Sequence, residues 1–282
     1  MPGRVVTLLT DFGNSDAYPA QMKGVILGLN PGVTLVDLTH EVPPQDVLAG
    51  AFLLGSSWPY FPEGTTHVAV VDPGVGTDRK ALLLLAHGHT FLAPDNGLLS
   101  YLLPAEKRPR TPFQVYPRPL PQDLQAYAIT NARYWRHPVS ATFHGRDVFA
   151  PAAAHLSLGV AAQELGEPVE TILCFHIPVP QWRGRELLGH VIHTDRFGNV
   201  VTNVGADLLA GKEARLVVEI AGATIRGLSD TYAAAEGLAA LIGSHGYLEV
   251  AARNGNAARE LGATVGQRAT VRLCELPGDR RS

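Results

Sequence analysis

The sequence has little of several features that would point to particular classes of protein. Only two of its 282 residues are cysteine, Cys174 and Cys274. They are too few and too far apart for a disulfide framework or a zinc site. No run of about 18 apolar residues occurs, so no membrane-spanning helix is predicted. The formal net charge is only −3, which disfavours a general nucleic-acid partner or an anionic membrane surface.

The N-terminus also lacks the cleavage-site pattern of a signal peptide, since an apolar segment begins almost at once. We therefore expect a cytoplasmic protein. The hydrophobic content is 46% and the charged content 17%, values typical of a globular protein with a sizeable core. A chain of 282 residues is long enough for one large domain or two modest ones.

The first part of the chain alternates strand-like and helical patterns, which favours a mostly parallel sheet with right-handed crossovers. The sequence predicts a three-layer α/β domain over residues 1–165. Apolar periodicity predicts strands at 4–10, 33–38 and 67–71, a hairpin at 81–93, and helices at 17–30, 46–58 and 148–158.

The composition then changes. Glycine and proline punctuate residues 166–185, which we predict to be a linker. From residue 186 to 282 strand-like runs dominate, with one predicted helix at 233–242. The pattern predicts a smaller, mainly-β, barrel-like C-terminal domain.

One stretch of the first domain carries an informative set of side chains. The strand predicted at 67–71 ends at Asp72, followed by Pro73-Gly74 and, after a glycine-bearing loop, by Arg79. A carboxylate at the carboxyl end of a strand is typical of α/β active sites. An ordinary strand-to-turn exit explains the same residues. The loop lacks the spacing of a phosphate-binding P-loop, so we do not assign it to a nucleotide phosphate.

Two further carboxylates, Asp11 and Asp16, follow the first predicted strand. A carboxylate accepts hydrogen bonds at two oxygens and so suits a ribose diol or an ammonium group. Capping of a turn is the alternative role for both. His87 and His89 flank a glycine and could form a metal pair, but a hairpin tip is the better interpretation because no third ligand is evident.

Six short motifs occur in order along the chain and together carry a family resemblance. They are Asp11-Phe12-Gly13 with Asp16, Asp72-Pro73-Gly74-Val75-Gly76 with Arg79, Pro94-Asp95-Asn96-Gly97, Phe143-His144-Gly145-Arg146-Asp147, Asp195-Arg196-Phe197-Gly198-Asn199 and Gly243-Ser244-His245-Gly246-Tyr247. The set resembles the S-adenosyl-L-methionine (SAM) hydrolase family, also called SAM hydroxide adenosyltransferases, relatives of the SAM-dependent fluorinase and chlorinase.

The resemblance implies an enzyme in which water, as hydroxide, attacks ribose C5′ of SAM and releases adenosine and L-methionine. SAM is then a substrate, and no separate cofactor or metal is implied. The residues matching the family's water-handling set are Asp72, Arg79 and His144. Arginine has no acceptor and cannot be the base. His144 could accept the proton or hydrogen-bond the nucleophile, and the sequence leaves both roles open.

The resemblance also implies which residues hold the substrate. Asp11 matches the carboxylate on the ribose hydroxyls, and Phe143 matches a wall of the reaction centre. The remaining matches are Asp16, Asp195 and Ser244 near the methionine end, and Phe197 and Asn199 near the adenine. The family's homotrimeric assembly, with sites between subunits, is expected here as well.

Two other functions stay open from the sequence. The first is transfer of a halide to C5′ of SAM, giving a 5′-halo-5′-deoxyadenosine. The halogenases have a tyrosine in place of His144, no acid in place of Asp72 and an insertion near the hairpin, which is tight here at 86–90. The second is a non-catalytic protein that binds SAM or adenosine, which would not need Arg79 or His144.

Overall fold

The computed structural model describes residues 5–108, 110–212, 215–234 and 237–274. The chain divides into two units. The first takes in the described residues of Met1–Pro104 and Gln114–His176, and the second those of Ala105–Phe113 and Ile177–Ser282. Among the described residues, no helix is both long enough and apolar enough to cross a bilayer.

The first unit contains nine strands and three α-helices within its described residues. In chain order they are β1 (Val5–Thr10), α1 (Tyr18–Leu29), β2 (Thr34–Thr39), α2 (Val47–Ser57), β3 (Thr66–Val70), β4 (Ala81–Ala86), β5 (His89–Pro94), β6 (Val115–Pro119), β7 (Gln125–Ile129), α3 (Ala150–Ser157), β8 (Gly166–Val169) and β9 (Thr171–Phe175). Short 3₁₀ turns and one π-helical turn, Gly145–Phe149, join them.

Seven of these strands form one mixed sheet in the order β2-β1-β3-β5-β4-β7-β8. The β1–β2, β1–β3 and β3–β5 pairs are parallel, and the other three are antiparallel. The predicted α/β class is confirmed. The sheet is mixed and not mostly parallel, because the β4–β5 hairpin and the two strands beside it add three antiparallel pairs. The hairpin predicted around residue 88 is also confirmed, with positive φ at both His87 and Gly88, as a type I′ turn requires.

Two apolar layers cover the sheet because successive residues of β1 point to opposite faces. Val6 and Leu8 pack with buried residues of α1 and α3, such as Met22. Leu9 packs on the other face with residues of α2, such as Leu54. Asp46 caps α2 by accepting a hydrogen bond from the Ala49 N–H at 2.9 Å, which fixes the start of that helix. The result is the three-layer arrangement expected from the sequence.

The segment 166–185, predicted as a linker, differs from that prediction. It contains β8, which extends the main sheet beside β7, and β9, which pairs with β6. Gly166 and Pro168 lie in β8 at the edge of the sheet, where proline's missing N–H is tolerated. Residues 104–140, which have no clear sequence pattern, supply the partner strands β6 and β7.

The second unit contains eight strands and one α-helix within its described residues. They are β10 (Gln181–Arg183), β11 (Glu186–Thr194), β12 (Val200–Gly205), β13 (Leu216–Ile220), β14 (Ala223–Arg226), β15 (Leu238–Ile242), β16 (Tyr247–Ala252), α4 (Ala257–Leu261) and β17 (Arg268–Leu273). The sheet order is β14-β13-β17-β11-β12-β16-β15, with β10 beside β11. The Ser229 N–H donates to the Ala240 carbonyl at 2.8 Å, so the two ends of the sheet approach each other. This nearly closed antiparallel sheet confirms the barrel-like prediction.

The helix predicted at 233–242 is wrong for residues 237–242, and only a short 3₁₀ turn, Tyr232–Ala234, occurs at its start. Leu238–Ile242 is β15, antiparallel to β16, and residues 235–236 lie outside the described part of the chain. Alanine favours helix in isolation, but pairing with β16 supplies ladder hydrogen bonds, and Ala239 and Ala240 become buried. Tertiary pairing therefore overrides local propensity.

A buried histidine in β3 makes the stability of the first unit sensitive to acid. His67 Nδ1 lies 2.8 Å from Thr7 Oγ1, and its Nε2 lies 3.2 Å from His89 Nδ1. Its ring stacks on Phe91 with centroids 4.9 Å apart. Burial, and secondarily His89, lower the pKa of His67 from 6.5 to about 3.

We expect the free energy of unfolding to fall as the pH drops below 6.5. In the unfolded chain His67 binds a proton with a pKa near 6.5, whereas in the folded chain its pKa is about 3. Because the unfolded state binds the proton more tightly, the free energy of unfolding decreases as the pH falls from 6.5 to 3. At pH 5 the loss from this residue is about 2 kcal/mol relative to pH 7. The His67→Asn variant keeps a hydrogen-bonding group but does not titrate. In urea titrations it should lose less stability between these two pH values than the wild type, and equal losses would contradict the assignment.

Candidate active site

The carboxyl ends of two neighbouring parallel strands bring the first predicted site residues together. Thr10 of β1 pairs with Val70 of β3. Asp11 follows β1 directly, and Asp72 follows β3 after one residue. Asp11 Oδ2 accepts a hydrogen bond from the Gln45 N–H at 2.8 Å, which ties it to the loop before α2. The two carboxylates thus lie at the same edge of the sheet, where α/β folds place ligands.

Asp72 and Arg79 form a buried ion pair across the loop that follows β3. Arg79 Nε donates to both Asp72 oxygens at 3.0 Å, and Arg79 Nη2 donates to Oδ2. The side chains are only 4% and 10% exposed. The loop curls back because the Val75 N–H donates to the Asp72 carbonyl at 3.2 Å. Both carboxylate oxygens are therefore occupied by the guanidinium.

His144 completes this cluster from a segment 65 residues further along the chain. Its Nδ1 lies 2.8 Å from Arg79 Nη2. Because a guanidinium can only donate, Nδ1 accepts this hydrogen bond and the ring proton of neutral His144 sits on Nε2. Burial, and then the positive charge of Arg79, lower the pKa of His144 below its ordinary value, although Asp72 and Asp147 oppose the shift. His144 is thus held neutral, with Nε2–H available as a donor.

Gly76 allows the Arg79 loop to approach the segment that carries His144. Its φ is +79°, and a Cβ at this position would collide with the carbonyl oxygen of Ala141. Gly64 has a similar φ of +84°, but a Cβ there meets no atom within 4 Å. Both glycines therefore have a positive φ, but only Gly76 lies in close contact with another segment, at Ala141.

We predict that Gly76→Ala lowers both stability and activity more than Gly64→Ala does. The control variant carries only the strain of positive φ, about 1 kcal/mol. Gly76→Ala must also separate the two loops, so its thermal midpoint should fall further and its turnover should drop. Calorimetry and turnover assays on both variants measure the difference. Equal effects would show that the approach to Ala141 does not matter.

Phe143 lies in a small aromatic cluster beside His144. Its ring makes edge contacts with Phe12 at 5.6 Å and with Tyr18 at 5.2 Å between centroids, and it is largely buried. Phe12 and Tyr18 belong to the segment that also carries Asp16, which is exposed. The structure thus groups Asp72, Arg79, His144 and Phe143 directly and leaves Asp16 on the surface of the same unit.

The second unit contains a cleft of about 710 Å³ that includes the predicted C-terminal site residues. Asp195, Phe197, Asn199 and Ser244 all line it. Phe197 is 77% exposed, so its ring is accessible at the cleft. The four predicted residues of this unit therefore lie at one place.

Asp195 organises the turn that carries two of these residues. Its Oδ1 accepts from the backbone N–H groups of Phe197 at 2.9 Å and Asn199 at 2.8 Å. Its Oδ2 accepts from Asn199 Nδ2 at 2.9 Å. The side-chain oxygen of Asn199 is consequently oriented by Asp195, and Phe197 is held at the tip of the turn.

Several residues that line the cleft were not individually assigned as site residues from the sequence. Tyr232, Ala233, Arg253, Asn254 and Gly255 also line it. The Tyr232 hydroxyl donates to Glu249 Oε1 at 2.5 Å, and this bond, followed by burial, raises the pKa of Tyr232 to about 12. Glu249 is only 2% exposed. An acid within the largely apolar sequence of β16 is the sequence signal that could have indicated this pair.

The geometry defines the class of protein before any comparison. It is a two-unit protein with a carboxylate–guanidinium–imidazole cluster at the strand ends of an α/β unit, and a polar, aromatic cleft on a β-barrel unit. Over the residues that the structure describes, no group of three or more His, Cys, Asp or Glu side chains is arranged to hold a metal ion.

The family models of the SAM hydroxide adenosyltransferase N-terminal domain and C-terminal domain match residues 6–166 and 189–270. The chain belongs to this family.

Individual relatives agree with this membership. The chain is 42% identical over 270 residues to the (R)-S-adenosyl-L-methionine hydrolase of Thermus thermophilus, covering 93% of this chain and 97% of that protein. A fluorinase from Actinoplanes is 28% identical over 227 residues, covering 71% of each chain. A crystal structure of a conserved protein from Thermotoga maritima superposes with a TM-score of 0.81 at 28% identity, covering 96% of this chain and 100% of that one.

Proposed function

We propose that this protein hydrolyses SAM to adenosine and L-methionine. The observation that carries the proposal is the buried Asp72–Arg79–His144 cluster, in a chain whose hydrolase relative is more similar to it than the fluorinase is. Oxygen forms a bond to ribose C5′, the C5′–S bond breaks, and its electron pair stays on sulfur. Methionine leaves as a neutral thioether, so no acid is needed at the leaving group.

The cluster is suited to holding an anionic oxygen. The guanidinium of Arg79 supplies positive charge, and the neutral imidazole of His144 supplies the Nε2–H donor. Donors placed in advance around developing or full negative charge are a large source of catalysis in a site with little water. In bulk solvent the pKa of water is about 15.7, so very little hydroxide is present at neutral pH. The two donors stabilise hydroxide relative to water and so lower the pKa of a water bound between them.

Arg79 already donates to the acceptor atoms of both neighbouring side chains. Both oxygens of Asp72 accept from Arg79, and Nδ1 of His144 accepts from the same guanidinium. In this proposal the side chains bind hydroxide formed from water that has given its proton to solvent. Asp72 serves to orient Arg79, and Arg79 and His144 donate to the nucleophile.

The remaining predicted residues hold SAM in this proposal. Asp11 accepts from the ribose hydroxyls and Phe143 limits access of water to C5′. Phe197 stacks against the adenine, and Asn199, oriented by Asp195, bonds its edge. Asp16, Asp195 and Ser244 lie toward the methionine end.

We also place the protein in the cytoplasm as a homotrimer with sites between subunits. The location and the trimer are proposed from family membership. The proposal of sites between subunits is also supported by the positions of the predicted site residues, because the Asp72–Arg79–His144 cluster belongs to the first unit and the open cleft to the second.

Incubation of the purified protein with SAM, followed by chromatography, tests the function. Equal amounts of adenosine and methionine are expected, in chloride buffer as well as without halide. Formation of 5′-chloro-5′-deoxyadenosine in place of adenosine would favour halide transfer. Binding of SAM without any product would favour a non-catalytic binder, and either outcome would overturn the proposal.

A further inference from the structure

Asp147 is a fully buried carboxylate that the proposed reaction does not use. It lies three residues after His144 in the π-helical turn Gly145–Phe149. π-Helical turns are rare and occur frequently at functional sites. We infer that Asp147 is a positioning residue, which holds His144 in the orientation and tautomer that let it serve Arg79 and the nucleophile. The inference rests on the proposed function, because it assigns a role within the same site.

Four donors converge on the Asp147 carboxylate. Arg146 donates from Nε to Oδ1 at 2.7 Å and from Nη2 to Oδ2 at 2.9 Å. Arg136 Nη1 donates to Oδ1 at 3.2 Å, and the Ser140 N–H donates to Oδ2 at 2.9 Å. Burial raises the pKa of Asp147, but the bonds from Arg146, Ser140 and Arg136 outweigh it, so its pKa is lowered. The carboxylate is therefore ionised wherever the enzyme works.

These bonds close the short segment that carries His144. The Asp147 side chain ties Ser140 at one end of the segment to the helical turn at the other. The backbone does the same, since the Asp147 N–H donates to the Phe143 carbonyl at 3.2 Å and the Arg136 N–H donates to the Asp147 carbonyl at 2.8 Å. His144 lies inside this closed loop and makes no side-chain cap of its own for the following turn.

The same network also fixes the neighbours of His144. Arg146, held by Asp147, places its guanidinium 5.0 Å from the centroid of the Phe143 ring and bonds Gln21 Oε1 at 3.2 Å. Gly145 fits closely, because a Cβ there would approach the Met22 sulfur and the Phe143 ring to 3.2 Å. A change at Asp147 would consequently release Phe143 and His144 together, while Asp72 and Arg79 would keep their own pair.

Replacement of the carboxylate by an amide tests this role. Asp147→Asn keeps the shape but cannot accept from four N–H donors with both atoms. We expect kcat for SAM to fall by about 10- to 100-fold, since displacement of a reacting group by about 1 Å costs this much. KM should change by less than about threefold, because Asp11 and the cleft residues assigned to SAM binding are not part of this network. A kcat equal to that of the wild type would overturn the inference.

Arg136→Met supplies a second, milder variant in case the buried amide prevents folding. It removes one of the four donors from a side chain that is 45% exposed, and a loss of about 3- to 10-fold in kcat with unchanged KM is expected. Arg133→Met is the matched control, because Arg133 lies in the same segment but packs on the Tyr134 ring and makes no contact with Asp147 among those described. Equal kcat values for the two arginine variants would contradict the positioning role.

Nitrogen-15 NMR of the imidazole gives a readout that does not depend on turnover. The wild type should show His144 with its proton on Nε2. In Asp147→Asn or Arg136→Met, part of the population should carry the proton on Nδ1. The thermal midpoint of each variant, measured in parallel, shows whether the protein is still folded under the NMR conditions. An unchanged tautomer in the folded variants would overturn the inference. If the wild type fails to cleave SAM but the tautomer still shifts, the proposed function fails and the positioning role stands.

Discussion

Arg79→Met is expected to lower kcat/KM for SAM by about a thousandfold, or roughly 4 kcal/mol of transition-state stabilisation. The guanidinium contacts both Asp72 and His144, so in the proposed mechanism its removal takes away a donor to the nucleophile and the partner that fixes the His144 tautomer. Steady-state kinetics with SAM measure the loss. Retention of more than about a tenth of the activity would contradict the assigned role.

The same substitution leaves Asp72 buried without its partner, which costs stability as well as activity. The double variant Asp72→Asn/Arg79→Met separates the two effects, because a neutral amide tolerates burial better than a lone carboxylate. It should recover much of the lost thermal midpoint and stay inactive. Arg133→Met is the control and should keep wild-type kinetics, because the Arg133 guanidinium packs on the Tyr134 ring as that of Arg79 packs on the Phe149 ring. Recovery of turnover in the double variant would mean that Arg79 acts only through stability.

His144→Ala should lower kcat/KM by about 100- to 1,000-fold, as expected for loss of one donor to the reacting oxygen. His144→Gln discriminates between the two roles that the sequence leaves open. Glutamine offers an acceptor for Arg79 and an N–H donor for the nucleophile, but it cannot take up a proton. A donor role predicts at least about tenfold more activity for Gln than for Ala. If His144 were the base, the two variants would be equally inactive.

The pH profile gives an independent check on His144. Protonation of Nδ1 would place a proton against the Arg79 guanidinium, so the charged form is inactive. Because burial and Arg79 lower the pKa of His144, the neutral form persists below pH 6.5 and the acid limb of kcat/KM should lie under that value. His144→Gln should flatten this limb. A limb above 6.5, or one unchanged in the Gln variant, would show that another group controls it.

The part of the site predictable from the sequence was the part with local signals. Asp72 and Arg79 are seven residues apart around a proline–glycine turn, so a strand end and a short loop suffice to bring them together. His144 comes from a distant segment, and only its motif connected it with the other two. Asp195, Phe197, Asn199 and Ser244 were likewise grouped only by their motifs. The hydrophobic pattern of the strands does not predict which turns of a barrel lie next to each other.

The wrong secondary-structure predictions and the residues that were missed also result from contacts between segments distant in the sequence. Alanine-rich 238–242 forms a strand because pairing with β16 outweighs helix propensity, and the segment 166–185 supplies edge strands where proline and glycine are tolerated. The network around Asp147 joins residues 136, 140 and 146, and no periodicity indicates that their donors share one carboxylate. Glu249 and Tyr232 are 17 residues apart and meet only through the fold of the second unit.

The most direct test of the account follows the oxygen atom. The purified protein is incubated with SAM in water enriched in oxygen-18, in buffer that contains chloride, and the products are analysed by mass spectrometry. The account predicts adenosine carrying the label in its 5′-hydroxyl group together with unlabelled methionine, and much less of both from Arg79→Met. Unlabelled adenosine, a 5′-chloro nucleoside, or recovery of intact SAM would contradict it.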